Sequence, residues 1–542
     1  MSSKSKRRPP KSFKPSLQHE LALTGASPRE LPQPRPVSVN TPRFTDGDPL
    51  ELYVGAKRID VWLKEFGLSD IFLVRRVLEA MDWTPFYQRY STQGRPSYHP
   101  RLMAGVILLG HLLGRTSLRE LEVLCATDMR CWWLTGGKVP DYSSFCNFFA
   151  RHQDLWTEHF FEDLTRRVVS ALGSDGSFLG TDGTVTLSAA SVHKKLSLEA
   201  AQHKAKEARQ EASAAPRETP GQQKAATALE KRAEQAERVA QIAKQRDDGR
   251  SAKQKRTSKT QVAQSDPEAV TQILKRGGFG PAYQPSIAVT KDRVITGHSV
   301  HPSNEVVQVP GLLDQSERTT GVAPKTVAMD ARYNTGPMLE EAVRRDLNLL
   351  CPSGRTFDPD GDWTPDTKQI HKSQFKYDEK TDSYRCPQGK KLPKVKSKAA
   401  FDEYQCADCS GCPLKSKCIK NGENGRIVSR TSYDELRETL QQIMTQPGAR
   451  ADYKHRQGMV EPVFGETQQI QGMRRFRRRG LAKVRAEWAL HCAAHNVRRL
   501  LARARRRARG RLGRRWSQVL VARLPQVAEL QKVGCHAPQP VM

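Results

Sequence analysis

No stretch of this sequence stays apolar long enough to span a bilayer as a helix. The N-terminal segment MSSKSKRRPPKSFKP is basic but lacks an apolar h-region, so it is not a secretory signal. Together these absences exclude a helical membrane protein and predict a reducing, cytoplasmic setting. There the 11 cysteines are expected as free thiols or metal ligands, not disulfides. Acids are scarce relative to bases: 58 Asp and Glu against 89 Lys and Arg, a formal net charge of +31. Such a surplus repels itself in a compact chain unless a polyanion shares the surface. Nucleic acid is the partner that fits, with an anionic membrane as the alternative. The hydrophobic content of 37 % over 542 residues supports two or three domains with real cores and leaves long polar stretches.

Residues 1–48, rich in Pro, Ser, Lys and Arg, read as a disordered basic tail. Residues 49–172 carry helical spacing, as in RLMAGVILLGHLLG and SLRELEVLCAT, and Ser117 with Glu120 fits a capping box. A further helix is expected from Ser143 or Ser144 in PDYSSFCNFFARH. Short helices with tight turns allow a helix-turn-helix or an ordinary helical domain. Trp132 and Trp133 read as core residues. At Ser177 the pattern changes, and FLGTDGTVTLSAAS reads as strand. Residues 194–265 are Ala, Gln, Glu, Lys and Arg with almost no aromatics, a charged helical or coiled-coil-like insertion. Strand patterns return in PSIAVT, VITGHSV and KTVAMDARYN, and helices alternate with the later ones. This predicts a mixed α/β sheet built from 173–193, 266–354 and 431–502. Residues 355–430 interrupt it with a Gly-, Pro-, Lys- and Cys-rich insertion. Between Gly472 and Arg515 there are seventeen Lys or Arg and one acid, Glu487. With the whole chain so basic, a phosphate-binding role is expected for that run. Residues 503–542 read as a basic C-terminal tail.

Three carboxylates stand out by order and context. Asp182 interrupts an apolar strand, where Asp is disfavoured, although TDGT also fits a hairpin turn. Asp330 ends the apolar strand TVAM, and Glu461 lies in a helix. Asp in a first strand, Asp at the end of a later strand and Glu on a following helix is the pattern of a ribonuclease H-like nucleotidyl transferase. Magnesium prefers carboxylate oxygen and keeps several waters. Two such ions about 3.5–4 Å apart activate the attacking oxygen and stabilise the leaving one. Clustered carboxylates repel one another without metal.

The stretches QGRPSYHPRLM, TSLRELE, KVPDYSSFCNFF, FLGTDGT, VAMDARYN and YKHRQGMVEPVFGETQQIQGMRRFRRRGLAKVRAEWALHCAAHNVRRL occur in this order. In them the chain resembles the DDE transposases of bacterial insertion sequences, in the branch with a helical N-terminal domain and a cysteine-rich segment before the catalytic Glu. The resemblance covers about residues 50–502 except the charged insertion. It implies a ribonuclease H-like catalytic core preceded by an all-α domain that binds terminal inverted repeats. It also implies that Asp182, Asp330 and Glu461 bind two magnesium or manganese ions. Water would free 3′-hydroxyls at the element's ends, and these would attack target DNA. A dimer or higher assembly on DNA, in the bacterial cytoplasm at the nucleoid, is the implied working form. Tyr453 and Arg456 match the family's Tyr-Arg-Glu-Lys signature, but four residues separate Arg456 from Glu461 where three are usual. The Lys position is Gln468. On a regular helix Arg456 falls about 140° from Glu461. The resemblance places Tyr453, Arg456 and Gln468 at DNA, with Arg474 or Arg475 as cations able to serve the missing Lys.

Cys406, Cys409, Cys412 and Cys418 follow C-x2-C-x2-C-x5-C spacing, with Cys386 upstream. Four of these five are expected to hold a structural zinc. The segment has little else to build a core from, which favours zinc as its staple. Cys125, Cys131, Cys146, Cys351, Cys492 and Cys535 read as scattered small hydrophobes. Two alternatives to a transposase remain: a transposase-derived, non-catalytic DNA-binding protein, and a structure-selective nuclease that cuts without joining.

Overall fold

The computed structural model describes residues 42–275, 277–352, 370, 372–419 and 425–523. Most of the N-terminal tail, Cys535 and residues 524–542 lie outside them.

The N-terminal part is helical: α1 (Ile59–Glu65), α2 (Asp70–Ala80), α3 (Thr84–Tyr87), α4 (Pro100–Leu112), α5 (Leu118–Thr127), α6 (Met129–Thr135), α7 (Tyr142–Arg151) and α8 (Phe161–Leu172). The expected capping box closes α5, with Ser117 and Glu120 each accepting from the other's backbone N–H. Asp141, rather than a serine, caps α7 by accepting from the Ser144 N–H at 2.7 Å. Trp133 is buried, and Trp132 packs against the same core. Order begins before residue 49, because Phe44–Thr45 pairs in parallel with Ser97–Tyr98.

A mixed sheet follows. Its strands are β1 (Phe178–Gly183), β2 (Val270–Ile273), β3 (Phe279–Thr290), β4 (Ile295–His301), β5 (Thr326–Ala328) and β6 (Asn348–Leu350). The order is β4-β3-β1-β5-β6; β3 runs antiparallel to both neighbours, whereas β1, β5 and β6 are parallel. Between β1 and β2 a hairpin of α9 (Leu198–Ser213) and α10 (Pro220–Asp248) is inserted. Alanines form its seam, among them Ala201, Ala208, Ala212, Ala233 and Ala243. Arg209–Glu237, Arg217–Glu230 and Arg232–Glu211 bridge its flanks. Exposed pairs of this kind add little each, so the alanine packing carries the hairpin. It leaves and returns at one point, where Lys195–Ser197 pairs with Gln261–Ala263.

After β4 come α11 (Val309–Thr320), and, after β5, α12 (Gly336–Arg344). The cysteine-rich insertion is a five-stranded antiparallel sheet: β7 (Lys376–Asp378), β8 (Ser383–Arg385), β9 (Lys391–Lys398), β10 (Phe401–Gln405) and β11 (Ile427–Arg430). Contrary to expectation it has its own core, in which Phe375, Tyr384, Leu392, Tyr404 and Val428 pack beside Cys406. The chain then forms α13 (Asp434–Thr445), α14 (Pro447–Gln469) and the long α15 (Leu481–Arg523), which runs well past residue 502. No helix among the described residues is long and apolar enough to cross a membrane.

The N-terminal helices and the mixed sheet share one hydrophobic core, because α15 packs against both. Here the basic run departs from expectation. Arg498 donates to the Leu112 carbonyl at 2.6 Å, Arg499 to Asp292 at 2.7 Å and Arg503 to Leu172 at 2.6 Å. Arg478 lies over the Phe149 ring at 3.4 Å. These guanidiniums cap carbonyls and cover rings, so they join the two halves of the molecule and are not free for phosphate.

Candidate active site

The TDGT segment is not a hairpin. Asp182 pairs with Ile287 of β3, Gly183 with Ser286, and Thr186 and Leu187 continue along the same strand opposite Tyr283 and Ala282. Asp182 therefore sits near the C-terminal end of the central strand. Parallel pairing of Ala328 with Gly180 carries the chain of β5 toward Asp182, so Asp330 arrives beside it. The two acids come from adjacent strands at the same edge of the sheet.

Asp182 is held by two donors: the Gly183 N–H at 2.8 Å to Oδ1, and Arg456 Nη2 at 3.1 Å to Oδ2. Burial raises its pKa, the Arg456 and Gly183 contacts oppose this, and Asp330 adds to it. Asp330 caps the short turn Ala331–Tyr333 by accepting from the Arg332 N–H at 2.8 Å, and Arg332 Nε reaches its other oxygen at 3.1 Å. Cys351 Sγ donates to the Asp330 carbonyl at 3.0 Å.

Helix α14 crosses this edge. Close approach needs Gly180, since a Cβ there would lie 3.1 Å from Val460 Cγ2 and 3.2 Å from Met459 Cε. The helix is continuous from Pro447 to Gln469 despite Pro462. Arg456 and Glu461 therefore lie on different faces, as their spacing implies. Arg456 faces Asp182. Tyr453 is half-buried nearby, its hydroxyl pushed up to about 12 by burial, with Arg456 opposing and Cys351, Asp330 and Asp182 adding. Glu461 is exposed and accepts from Gln457 Nε2 at 3.2 Å. The structure thus brings Asp182, Asp330, Tyr453 and Arg456 together, while Glu461 is exposed on another face of α14 with Gln457 as its hydrogen-bond partner.

Gln468 is half-buried on the same helix and Arg474 is exposed. Arg475 is committed elsewhere, donating to the Ser188 and Ala190 carbonyls at 2.8 and 2.9 Å.

One acid that the sequence did not single out joins the pair. Glu305, just before α11, is 5 % exposed and lies 3.3 Å from Arg332 Nη1. Burial pushes it up to about 7; Arg332 opposes, and the charges of Asp182 and Asp330 add. Its only local signal is an acid in HPSNEV, at the start of a helical pattern near 304–315, where an acid is unremarkable.

Carboxylates of this kind suit a hard divalent cation, which would neutralise charges that burial and mutual repulsion disfavour. As the side chains stand, no three His, Cys, Asp or Glu among the described residues are set to hold an ion. Carboxylate oxygen is the donor type such an ion takes.

Cys386, Cys406, Cys409, Cys412 and Cys418 all line one cavity of about 20 Å³ beside Arg426. That is room for a single ion or water. Burial pushes the Cys406 thiol up to about 11, with Cys409 and Cys386 adding, so the thiols feel one another. Cys418 is raised by burial as well, with Cys409, Cys412 and Cys386 adding against Arg426. Thiols are the ligand type a zinc ion takes, although as they stand no three of these are set to hold an ion.

Comparison with known families adds two matches. Residues 385–501 match a family described as the transposase DDE domain, and residues 67–151 one described as a transposase domain. The first spans α14 with Glu461, and the second spans α2 to α7. No curated protein and no solved structure matches the chain.

Proposed function

We propose that this chain, which carries the matched domains of a DDE-type insertion-sequence transposase, cuts DNA at the terminal inverted repeats of its element and joins the freed 3′-hydroxyls to target DNA. The observation that carries the reading is the juxtaposition of Asp182 and Asp330 on adjacent parallel strands under α14. The strand order, with one antiparallel strand next to the central one, agrees with a ribonuclease H-like core.

Asp182 and Asp330, with Glu461 by family resemblance, are the residues that would hold magnesium or manganese. Such ions, when bound, lower the pKa of an attacking water or hydroxyl and neutralise charge on the phosphoryl oxygens. The Gly183 N–H fixes the orientation of Asp182, and the Arg332 N–H fixes that of Asp330. Arg456, now neutralising Asp182, is the cation poised to exchange that carboxylate for a DNA phosphate. Tyr453 lines the same edge and, kept neutral by burial, can donate a hydrogen bond there. Arg474, exposed at the end of this segment, and Gln468 are the groups proposed to contact phosphate further along the DNA; Arg475 serves the fold.

The end-binding surface proposed is that around α7. Arg95 and Lys138, neither ion-paired among the described residues, line one cleft with Asn147 and Arg151, and Arg43 lines a second that shares Arg95 and Arg151. A zinc ion held by four of the five clustered cysteines would brace the small sheet preceding α13. Two chains are needed to bring two DNA ends together.

One observation favours a second reading, a non-catalytic DNA-binding protein: Arg456 neutralises Asp182 while Glu461 faces outward. Metal-dependent cutting of labelled element ends, with strand joining scored separately, tests the proposal. Cutting without joining would make it a nuclease, and binding without cutting would favour the second reading.

A further inference from the structure

A buried Glu is rare unless it is paired or coordinated. Glu305 precedes the turn Val306–Gln308 and α11, where an acid is usually explained as a helix cap, yet its side chain makes no cap hydrogen bond. It turns instead toward the sheet edge. A Cβ on Gly183 would lie 1.8 Å from Glu305 Oε2, so the glycine beside Asp182 leaves the space that the carboxylate fills. Its one ion-pair partner among the described residues, Arg332, is 61 % exposed and is shared with Asp330. Arg456 is taken by Asp182. Among the described residues three carboxylates therefore share two guanidiniums, with Lys275 acting at longer range.

Tyr333 gives an independent sign that this edge awaits another group. Its side chain is 0 % exposed, and its hydroxyl has no hydrogen-bond partner among the described residues. It nevertheless lies close enough to feel the charges of Glu305, Asp182 and Asp330.

We propose that Glu305 is a further carboxylate of the cation-binding centre, standing with Asp182 and Asp330 to receive a divalent metal ion. The proposal rests on the reading of Asp182 and Asp330 given above. A purely structural Glu305 would serve only as the partner of Arg332. A cation-binding Glu305 is instead a repulsive member of the metal-free site and an attractive member of the filled one.

The two roles separate in a titration of the full-length, metal-free protein with manganese, followed by calorimetry and by the manganese resonance signal, without DNA. Glu305→Gln is expected to weaken manganese binding by about ten-fold or more, with a metal-free melting temperature no lower than that of the wild type. Asp182→Asn, measured in parallel, checks the site itself. If Asp182→Asn weakens binding and Glu305→Gln does not, the proposal is overturned while the site stands. If neither variant weakens it, both fall. A lower metal-free melting temperature with unchanged manganese affinity would make Glu305 a structural partner of Arg332 and overturn the proposal. Should Glu305→Gln not fold, Glu305→Asp, which withdraws the carboxylate by one methylene, is expected to bind manganese more weakly than the wild type; equal binding would overturn the proposal.

Discussion

Arg456 Nη2 lies 3.1 Å from Asp182 Oδ2, and the two side chains are only 12 % and 16 % exposed. A cation from the helix expected to deliver a catalytic acid thus occupies a carboxylate of the sheet that is proposed to hold metal. Removing one member of such a pair leaves an uncompensated charge, here beside Asp330.

Arg456→Ala is therefore expected to destabilise the metal-free protein by about 3 kcal/mol, the low end for a buried pair, because Asp182 can partly escape by taking up a proton. Manganese should restore more stability to this variant than it adds to the wild type. Thermal melts with and without manganese measure both. An unchanged metal-free melting temperature would mean that the pair contributes nothing to the resting protein.

Acid should weaken the fold through buried histidines. Burial lowers His111 to about 4, His298 to about 4 and His152 to about 3, and holds His491, whose ring meets that of His111 edge-to-face with centroids 4.7 Å apart, well below the usual range. A group whose folded pKa is depressed binds fewer protons folded than unfolded below about 6.5. Stability is then fully present above that pH and declines as pH falls toward about 4, by about 1.4 kcal/mol per pH unit for each such histidine. His111→Gln should flatten the dependence by one such share, read from denaturant melts between pH 6 and pH 4.5. An unaltered slope would show that His111 titrates normally.

The cysteine cavity leads to a metal-content prediction. Protein purified without chelator should contain one zinc per chain, and substituting Cys406 by Ser should lower that content and loosen the sheet formed by β7 to β11. Elemental analysis and protease sensitivity of residues 376–430 report the two effects. A correctly folded protein with no zinc would remove the metal from the account. The core of Phe375, Tyr384, Leu392 and Tyr404 means that folding of this sheet need not depend on zinc entirely.

Sequence patterns carried much of this architecture because they are local. The capping box at Ser117 and the strand around Asp182 both have near-neighbour signatures. Asp330 was legible because it follows an apolar run. What stayed hidden depends on distant partners. Glu305 is marked only by its burial against Gly183, 122 positions away in the chain. Arg475, Arg498, Arg499 and Arg503 look like part of a phosphate surface because composition does not tell a cation that caps carbonyls from a free one. The tyrosine core of the cysteine-rich sheet was overlooked because Tyr377, Tyr384 and Tyr404 are separated by polar residues and meet only through strand pairing. The different faces of Arg456 and Glu461 follow from their spacing on α14, which stays unbroken despite Pro462.

The central claim is that Asp182 and Asp330, with Glu461, form one metal-dependent centre for DNA cutting. The most direct test is magnesium-dependent cleavage of a labelled fragment carrying the element's end, by wild type and by Asp182→Asn, Asp330→Asn and Glu461→Gln, with end binding measured on the same fragment. Losing one acid should remove several kcal/mol of transition-state stabilisation. Each variant is expected to bind the end as the wild type does and to cut it at a rate at least about a hundred-fold lower. Near-wild-type cutting by Asp182→Asn or Asp330→Asn would contradict the account, and by Glu461→Gln alone would show that another acid, Glu305 foremost, takes its place.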